Sequence, residues 1–358
     1  MAGNKFLVIQ QKMIGDVLNS TLICEHLKIH FPDATIHYVI NEHTLPVVEG
    51  NPFIDKIILF KKEYKKSKSK FYKFLKSFRK EEYTAVIDVY CKTESNLISY
   101  FSKAKTKISY EKWYSKFIYT DLFTYSKSTD TELGLAVENR LLLLKPLINK
   151  LKEENLAPKI FLREDELTKA KDLLVNSNID LSKPTLMVGI KGSSDDKTYP
   201  LKYLAELINE ITDIKSINIL LNYTPDQKSS VQELLSYCSE NSKNCIHEEI
   251  FCNSLRDFLA LLKLCNGYFG NEGGASNMSK ALGVPNFAIF SPWISKEAWF
   301  TYHSDPKNWA VHLNDFKPAL IQNKSKKERK ENVELLYKEF NPALFKDQVI
   351  AYLESQVS

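Results

Sequence analysis

At 358 residues the chain is longer than one hydrophobic core usually covers, so two domains are expected. With 44% hydrophobic and 26% charged residues it is neither a disordered nor a fibrous sequence. No apolar run approaches the roughly 20 residues that span a bilayer, and the net charge of +5 says less than the clustering of its lysines.

Strands and helices alternate from the start. "KFLVIQ" (5–10) reads as a strand, followed by a helix at about 16–30. "ATIHYVIN" (34–41), "KIILF" (56–60) and "YTAVIDVY" (83–90) are further β-branched runs between amphipathic stretches. That pattern predicts parallel strands with crossover helices. Residues 131–156 read as one helix leading to a polar connection. A second series follows, with strands at 185–193, 217–223, 267–274 and 285–291 and helices at 200–211 and 229–240. One more strand and helix are expected before 267, and the strand at 285–291 closes the set. An amphipathic helix at 341–355 ends the pattern. The expected fold class is therefore α/β, with two doubly wound domains facing across a cleft and ligands at the carboxyl ends of the strands. The expected boundaries are 1–175, 184–335, and a final helical segment 336–358 packing back toward the first domain.

The six cysteines (24, 91, 238, 245, 252 and 265) form no C-x-x-C pair, so buried free thiols are expected rather than a metal site or disulfide framework. No basic-then-apolar signal segment precedes the first strand, and a cytoplasmic location follows as the expectation. Between Lys61 and Lys80 ten residues are Lys or Arg and one, Glu63, is acidic. Phe71, Phe74, Leu75 and Phe78 recur there at helical spacing. The stretch is either a solvated helix face packed on its own domain or a surface for a phosphate-rich membrane or glycolipid. "KSKKERKEN" (324–332) interleaves two acids with five basic residues and reads as solvated.

Three turns carry candidate chemistry. Gly15-Asp16 lies between the first strand and helix. Aspartate is favoured at a helix start with or without chemistry, so a cap and a proton acceptor are both open readings. "GIKGSSDDKTYP" (189–200) places small donors, Ser193 and Ser194, and a lysine, Lys197, after a strand. "FGNEGGASNMSKALGVP" (269–285) puts Glu272 and two glycines before a helix, where free amides favour an anion. Neither turn matches the P-loop or the dinucleotide fingerprint, which removes support for kinase and dehydrogenase chemistry.

In order and over residues 5–295, these motifs resemble glycosyltransferase family 9, the ADP-heptose:lipopolysaccharide heptosyltransferases and their relatives. "KMIGDVLNS", "NPFIDKII", "YTAVIDVYCKTESNLISYFSKAKTKISY" and "AVENRLLLL" look like the family's signatures in the first domain. "GSSDDKTYPLKYLAEL" and "NEGGASNMSKALGVP" look like its donor elements. The resemblance implies a GT-B fold and an inverting, metal-independent transfer with no cofactor. A sugar, heptose from ADP-heptose in the family, would pass to a lipopolysaccharide core acceptor. It assigns Asp16 as catalytic base and Lys197 to the donor phosphates, beside Ser193 and Ser194. Gly273, Gly274 and Ala275 become the backbone turn at the diphosphate, and Glu272 a sugar contact. Asn277 stands in the position of the family's histidine, Asp226 near that of a ribose-binding carboxylate, and Lys12, Lys92 and Thr93 on the acceptor side. The implied partners are a nucleotide sugar and a phosphorylated glycolipid at the inner face of the cytoplasmic membrane, with no nucleic acid.

The sequence departs from the family on the donor side. Asp-Thr-Gly is replaced by Glu272-Gly273-Gly274, histidine by Asn277, and the turn after the last strand reads Ser291-Pro292-Trp293-Ile294-Ser295. Alternatives consistent with these departures are another nucleotide sugar for a surface glycan, a GT-B-like nucleotide-sugar epimerase, and a non-catalytic glycan-binding relative.

Overall fold

The computed structural model describes residues 3–129, 131–151, 157–177 and 179–357. The chain divides into two compact units, Met1–Phe161 and Leu162–Ser358.

The first unit is built on six parallel strands: β1 (Lys5–Ile9), β2 (Thr35–Asn41), β3 (Lys56–Phe60), β4 (Ala85–Asp88), β5 (Thr106–Tyr110) and β6 (Asp121–Phe123). Their order is β3-β2-β1-β4-β5-β6, with Phe6 opposite Ala85 in the register of β1 and β4. β1 and β4 are buried on both faces, as their unbroken apolar runs require. After β1 the chain winds to one side and after β4 to the other. The carboxyl ends of these two strands therefore form the topological switch point, where such sheets bind ligands.

The second unit has five parallel strands: β7 (Thr185–Gly189), β8 (Asn218–Asn222), β9 (Gly267–Asn271), β10 (Asn286–Ile289) and β11 (Asn308–Val311). The order β11-β10-β9-β7-β8 puts its switch point between β7 and β9. Those two strands approach unusually closely at their ends. Gly270 has φ +144°, and a Cβ there would lie 2.4 Å from the Gly189 carbonyl oxygen. Only glycine fits that backbone without displacement.

Several expectations are corrected. β5, β6 and β11 were not anticipated, and the strand expected between 240 and 267 is reduced to a single bridge, Ile219 to Ile246. The long helix expected at 131–156 is the helix Leu135–Leu142; its last part, 152–156, lies outside the described residues. The helix Glu164–Asn176, expected in the first domain, belongs to the second unit, where Arg256 Nε donates to Glu166 Oε1 at 2.8 Å. The C-terminal helix Lys346–Gln356 also packs within the second unit. Its Tyr352 hydroxyl lies 3.1 Å from the Tyr268 carbonyl and 3.0 Å from that of Pro285, and Phe345, Val349 and Leu353 join that core.

The basic stretch resolves into two helices, Lys62–Lys66 and Lys68–Ser77. Leu75 and Phe78 are buried with Leu7, Ile9, Val39 and Val86, and Phe71 and Phe74 pack against that cluster. The apolar stripe is therefore core, and its lysines are the solvated face. Cys24, Cys91, Cys238 and Cys265 are buried free thiols, while Cys245 and Cys252 are half-buried rather than buried.

Candidate functional site

In the first unit the turn after β1 leads into the helix Ile14–His30, with Asp16 as its third residue. A carboxylate in the first turn is favoured by the helix dipole, and Asp16 Oδ2 accepts from the Met13 amide at 3.3 Å. The other oxygen, Oδ1, accepts from Arg140 Nη2 at 2.6 Å. Arg140 lies on the helix Leu135–Leu142 and is itself fixed. Its Nε donates to Ser20 Oγ at 3.0 Å and its Nη1 to the Ala136 carbonyl. Burial works against its charge, but the Asp16 carboxylate, with Tyr110 and Tyr125 nearby, outweighs that and holds its pKa above the ordinary value. The arginine side chain is 6% exposed and the aspartate 25%, so one carboxylate oxygen is clamped from inside while the group stays open to solvent. Asp16 is thus a helix-start residue and an oriented, accessible carboxylate together.

What it opens onto is a cavity of about 540 Å³ lined by Lys12, Met13, Asp16, Lys65, Tyr90, Lys92, Thr93, Glu94 and Tyr114. The three expected acceptor-side residues, Lys12, Lys92 and Thr93, share this cavity with Asp16. Its location follows from topology: residues 12–16 follow β1 and residues 90–94 follow β4, the two strands of the switch point. Three lysines against two carboxylates, with Lys65 lying 3.7 Å from Glu94, leave a net positive lining that suits an anionic partner presenting a hydroxyl. Asp88, at the end of β4, is fully buried. Desolvation raises its pKa to about 6, against hydrogen bonds from the Tyr119 hydroxyl and the Cys91 amide (2.8 Å).

In the second unit the two candidate donor turns meet at their own switch point. Ser193, Ser194 and Lys197 follow β7; Glu272, Gly273, Gly274, Ala275 and Asn277 follow β9. Asn271, buried, ties them together: its Oδ1 accepts from the Tyr199 amide at 2.6 Å and its Nδ2 donates to the Gly189 carbonyl at 3.1 Å. Gly273 has φ +154° and starts the helix Gly274–Ala281, whose first intrahelical bond runs from the Asn277 amide to the Gly273 carbonyl at 3.1 Å. The amides of Gly274, Ala275 and Ser276 precede that bond, the usual arrangement of an anion-accepting helix start. Asn277 Nδ2 donates to the Gly273 carbonyl at 3.0 Å, so in the histidine position this side chain braces the turn. Ser193 and Ser194 are exposed, and Ser194 Oγ donates to Asp196. Asp226 is exposed in the turn after β8; its pKa is lowered, chiefly by the Thr224 hydroxyl, with a smaller pull from Lys191.

Arg140 and Asn271 escaped the sequence reading. Arg140 was visible as the one basic residue in the mostly apolar run "AVENRLLLL", and Asn271 as a polar residue ending an apolar strand. Among the described residues no group of histidine, cysteine and carboxylate side chains is arranged to hold a metal ion.

The model of glycosyltransferase family 9 (heptosyltransferase) matches residues 71–328. Lipopolysaccharide heptosyltransferase 1 of Campylobacter coli is 24% identical over 294 residues, covering 80% of this chain and 83% of the relative. A glycosyltransferase family 9 structure from Veillonella parvula superposes with a TM-score of 0.76 at 17% identity, over 98% of this chain and 96% of the other. The E. coli heptosyltransferase WaaC solved with ADP gives 0.70 at 16% identity, over 97% and 99%.

Proposed function

The chain belongs to glycosyltransferase family 9 and has its GT-B fold, and we propose that it is an inverting, metal-independent enzyme moving heptose from ADP-heptose to a lipopolysaccharide core acceptor. The observation that carries the reading is the clamped, accessible Asp16 carboxylate inside a lysine-lined cavity at the first switch point. The heptosyl donor is supported by the relatives: one is a lipopolysaccharide heptosyltransferase, and the WaaC structures contain ADP and ADP-2-deoxy-2-fluoro heptose.

In the proposed reaction, Asp16 accepts the proton of the acceptor hydroxyl through the oxygen not held by Arg140. The hydroxyl oxygen forms the new bond to the anomeric carbon as the bond from that carbon to the diphosphate breaks. The departing diphosphate gains negative charge, which Lys197 and the amides of Gly274, Ala275 and Ser276 meet. These fixed positive groups let the residues stabilise the leaving group without a metal ion. Ser193 and Ser194 line the same loop, Glu272 faces the sugar hydroxyls and Asp226 the ribose. On the acceptor side Lys12 and Lys92 pair with phosphate or carboxylate groups of the glycolipid, and Thr93 contributes a hydroxyl.

No helix among the described residues is long and apolar enough to cross a membrane. A peripheral approach to the cytoplasmic leaflet fits an exposed aromatic loop between β5 and β6: Trp113 is 85% and Phe117 83% exposed. Tyr114, between them, lines the Asp16 cavity. Aromatic rings at the headgroup level, with lysines about them, are what a membrane interface favours. The test is calorimetric titration with ADP, UDP, GDP and dTDP followed by transfer assays with the matching sugar nucleotides. Binding and turnover confined to ADP and ADP-heptose support the reading; preference for another nucleotide overturns the heptosyl assignment.

A further inference from the structure

We propose that Lys326 and Lys330 complete, with Lys197, a three-lysine cradle for the diphosphate of the donor. This deepens the reading of Lys197 as a donor-phosphate residue and rests on it. The organising side chain is Trp293, in the turn after β10. Its indole N–H donates to the Asp196 carbonyl at 2.9 Å, and Ser291 Oγ donates to the same oxygen at 2.7 Å. The turn is thereby fastened to the donor loop. Around the Trp293 ring stand three ammonium groups, Lys197 at 5.4 Å from its centre, Lys326 at 5.3 Å and Lys330 at 4.9 Å. Any two of them therefore lie within about twice that distance of each other.

Lys326 and Lys330 are one turn apart on the helix Lys326–Glu331, so they share a face. Asp196 pairs with this cluster, 3.3 Å from Lys330. Its pKa is held low, first by the Ser194 hydroxyl and then by Lys330 and Lys197. Attraction to the indole face offsets part of the mutual repulsion. One carboxylate against three ammoniums still leaves an excess of positive charge beside the donor loop, and a diphosphate is an anion of matching charge. Lys327, on the same helix, is turned to Glu331 at 3.8 Å and stays outside the cluster. By count the segment 324–332 holds five basic residues and two acids, and its spacing sorts the charges, sending 326 and 330 to the donor loop.

Pyrophosphate is the probe, since it makes no assumption about the base. Titration calorimetry of the full chain would compare wild type with Lys197→Ala, the pair Lys326→Ala/Lys330→Ala, Lys327→Ala and Asp196→Asn. The expected result is a loss of about tenfold or more in the pair and in Lys197→Ala, with weaker salt dependence, and affinity within twofold of wild type in Lys327→Ala. Asp196→Asn, which removes the competing anion, should tighten binding at least twofold; loosening would mean that Lys330 only positions the loop and would overturn the proposal. The pair binding within twofold of wild type while Lys197→Ala loses affinity overturns the cradle and leaves the Lys197 reading intact. If neither loses affinity, or wild type binds no pyrophosphate, both fall.

Discussion

Replacing Arg140 by methionine keeps the bulk of the buried side chain and removes the charge that clamps Asp16. The pair is asymmetric in exposure, with the arginine side chain at 6% and the aspartate at 25%. Breaking a wholly buried pair costs about 3–5 kcal/mol; with one partner open to solvent the expected loss is roughly 2–3 kcal/mol. The Ser20 hydroxyl and Ala136 carbonyl also lose a donor, which belongs to the arginine alone. A double-mutant cycle separates the two contributions. Urea unfolding of wild type, Asp16→Asn, Arg140→Met and the double variant should give an Asp16–Arg140 coupling of about 1–2 kcal/mol. The same four proteins serve for kinetics. If Arg140 orients the base, Arg140→Met lowers kcat by about 10²-fold, and adding it to Asp16→Asn changes little further. Lysine at 140 should recover the charge but not the forked geometry, and so restore only part of both. A coupling below about 0.5 kcal/mol, or additive losses in kcat, would refute the clamp.

Gly270→Ala puts a Cβ 2.4 Å from the Gly189 carbonyl oxygen at φ +144°. A loss of roughly 2–4 kcal/mol is expected, read as a lower Tm by scanning calorimetry, together with weaker nucleotide binding because the two donor turns flank that contact. The pKa of Asp88 is raised to about 6, so below that pH the native state keeps a proton the unfolded chain has lost. Its contribution to stability therefore falls as pH rises from about 4 to 6, by about 3 kcal/mol in all. His26 and His37, lowered by burial to about 4, act in the opposite sense: what they contribute is lost as pH falls from 6.5 to 4. Asp88→Asn should steepen the net rise of stability with pH across 4–6, and a variant-minus-wild-type difference independent of pH in urea titrations would contradict this. Trp113→Ala/Phe117→Ala should cut binding to anionic vesicles on the order of tenfold. Co-sedimentation unchanged by the pair would remove this loop from the membrane account.

The fold class was legible because each domain repeats the same local grammar of buried β-branched run, polar turn and amphipathic helix. What escaped was short or polar. β6 has three residues and β11 four, and β5 reads "TKISY", too little apolar pattern to register as a strand without the neighbours that bury it. The boundary at Phe161 was missed because the helix Glu164–Asn176 declares its partner only through tertiary contacts such as Glu166 with Arg256. On the site, the chain order shows which turns follow strands, and the topology then brings residues 12–16 beside 90–94, and 191–197 beside 272–277. It does not show a pair separated by 124 residues, as Arg140 and Asp16 are. Nor can composition reveal that two lysines of the run 324–332 face one tryptophan.

The central claim is that Asp16 removes the acceptor proton while the second unit holds the donor. Its most direct test is the transfer rate of Asp16→Asn, with ADP-heptose and a lipopolysaccharide core acceptor, beside calorimetric binding of ADP. Asparagine keeps the size and can still accept the Met13 amide, but it cannot take the proton. The account predicts kcat reduced by about 10³-fold or more with ADP affinity within twofold of wild type. Turnover within threefold of wild type would contradict it.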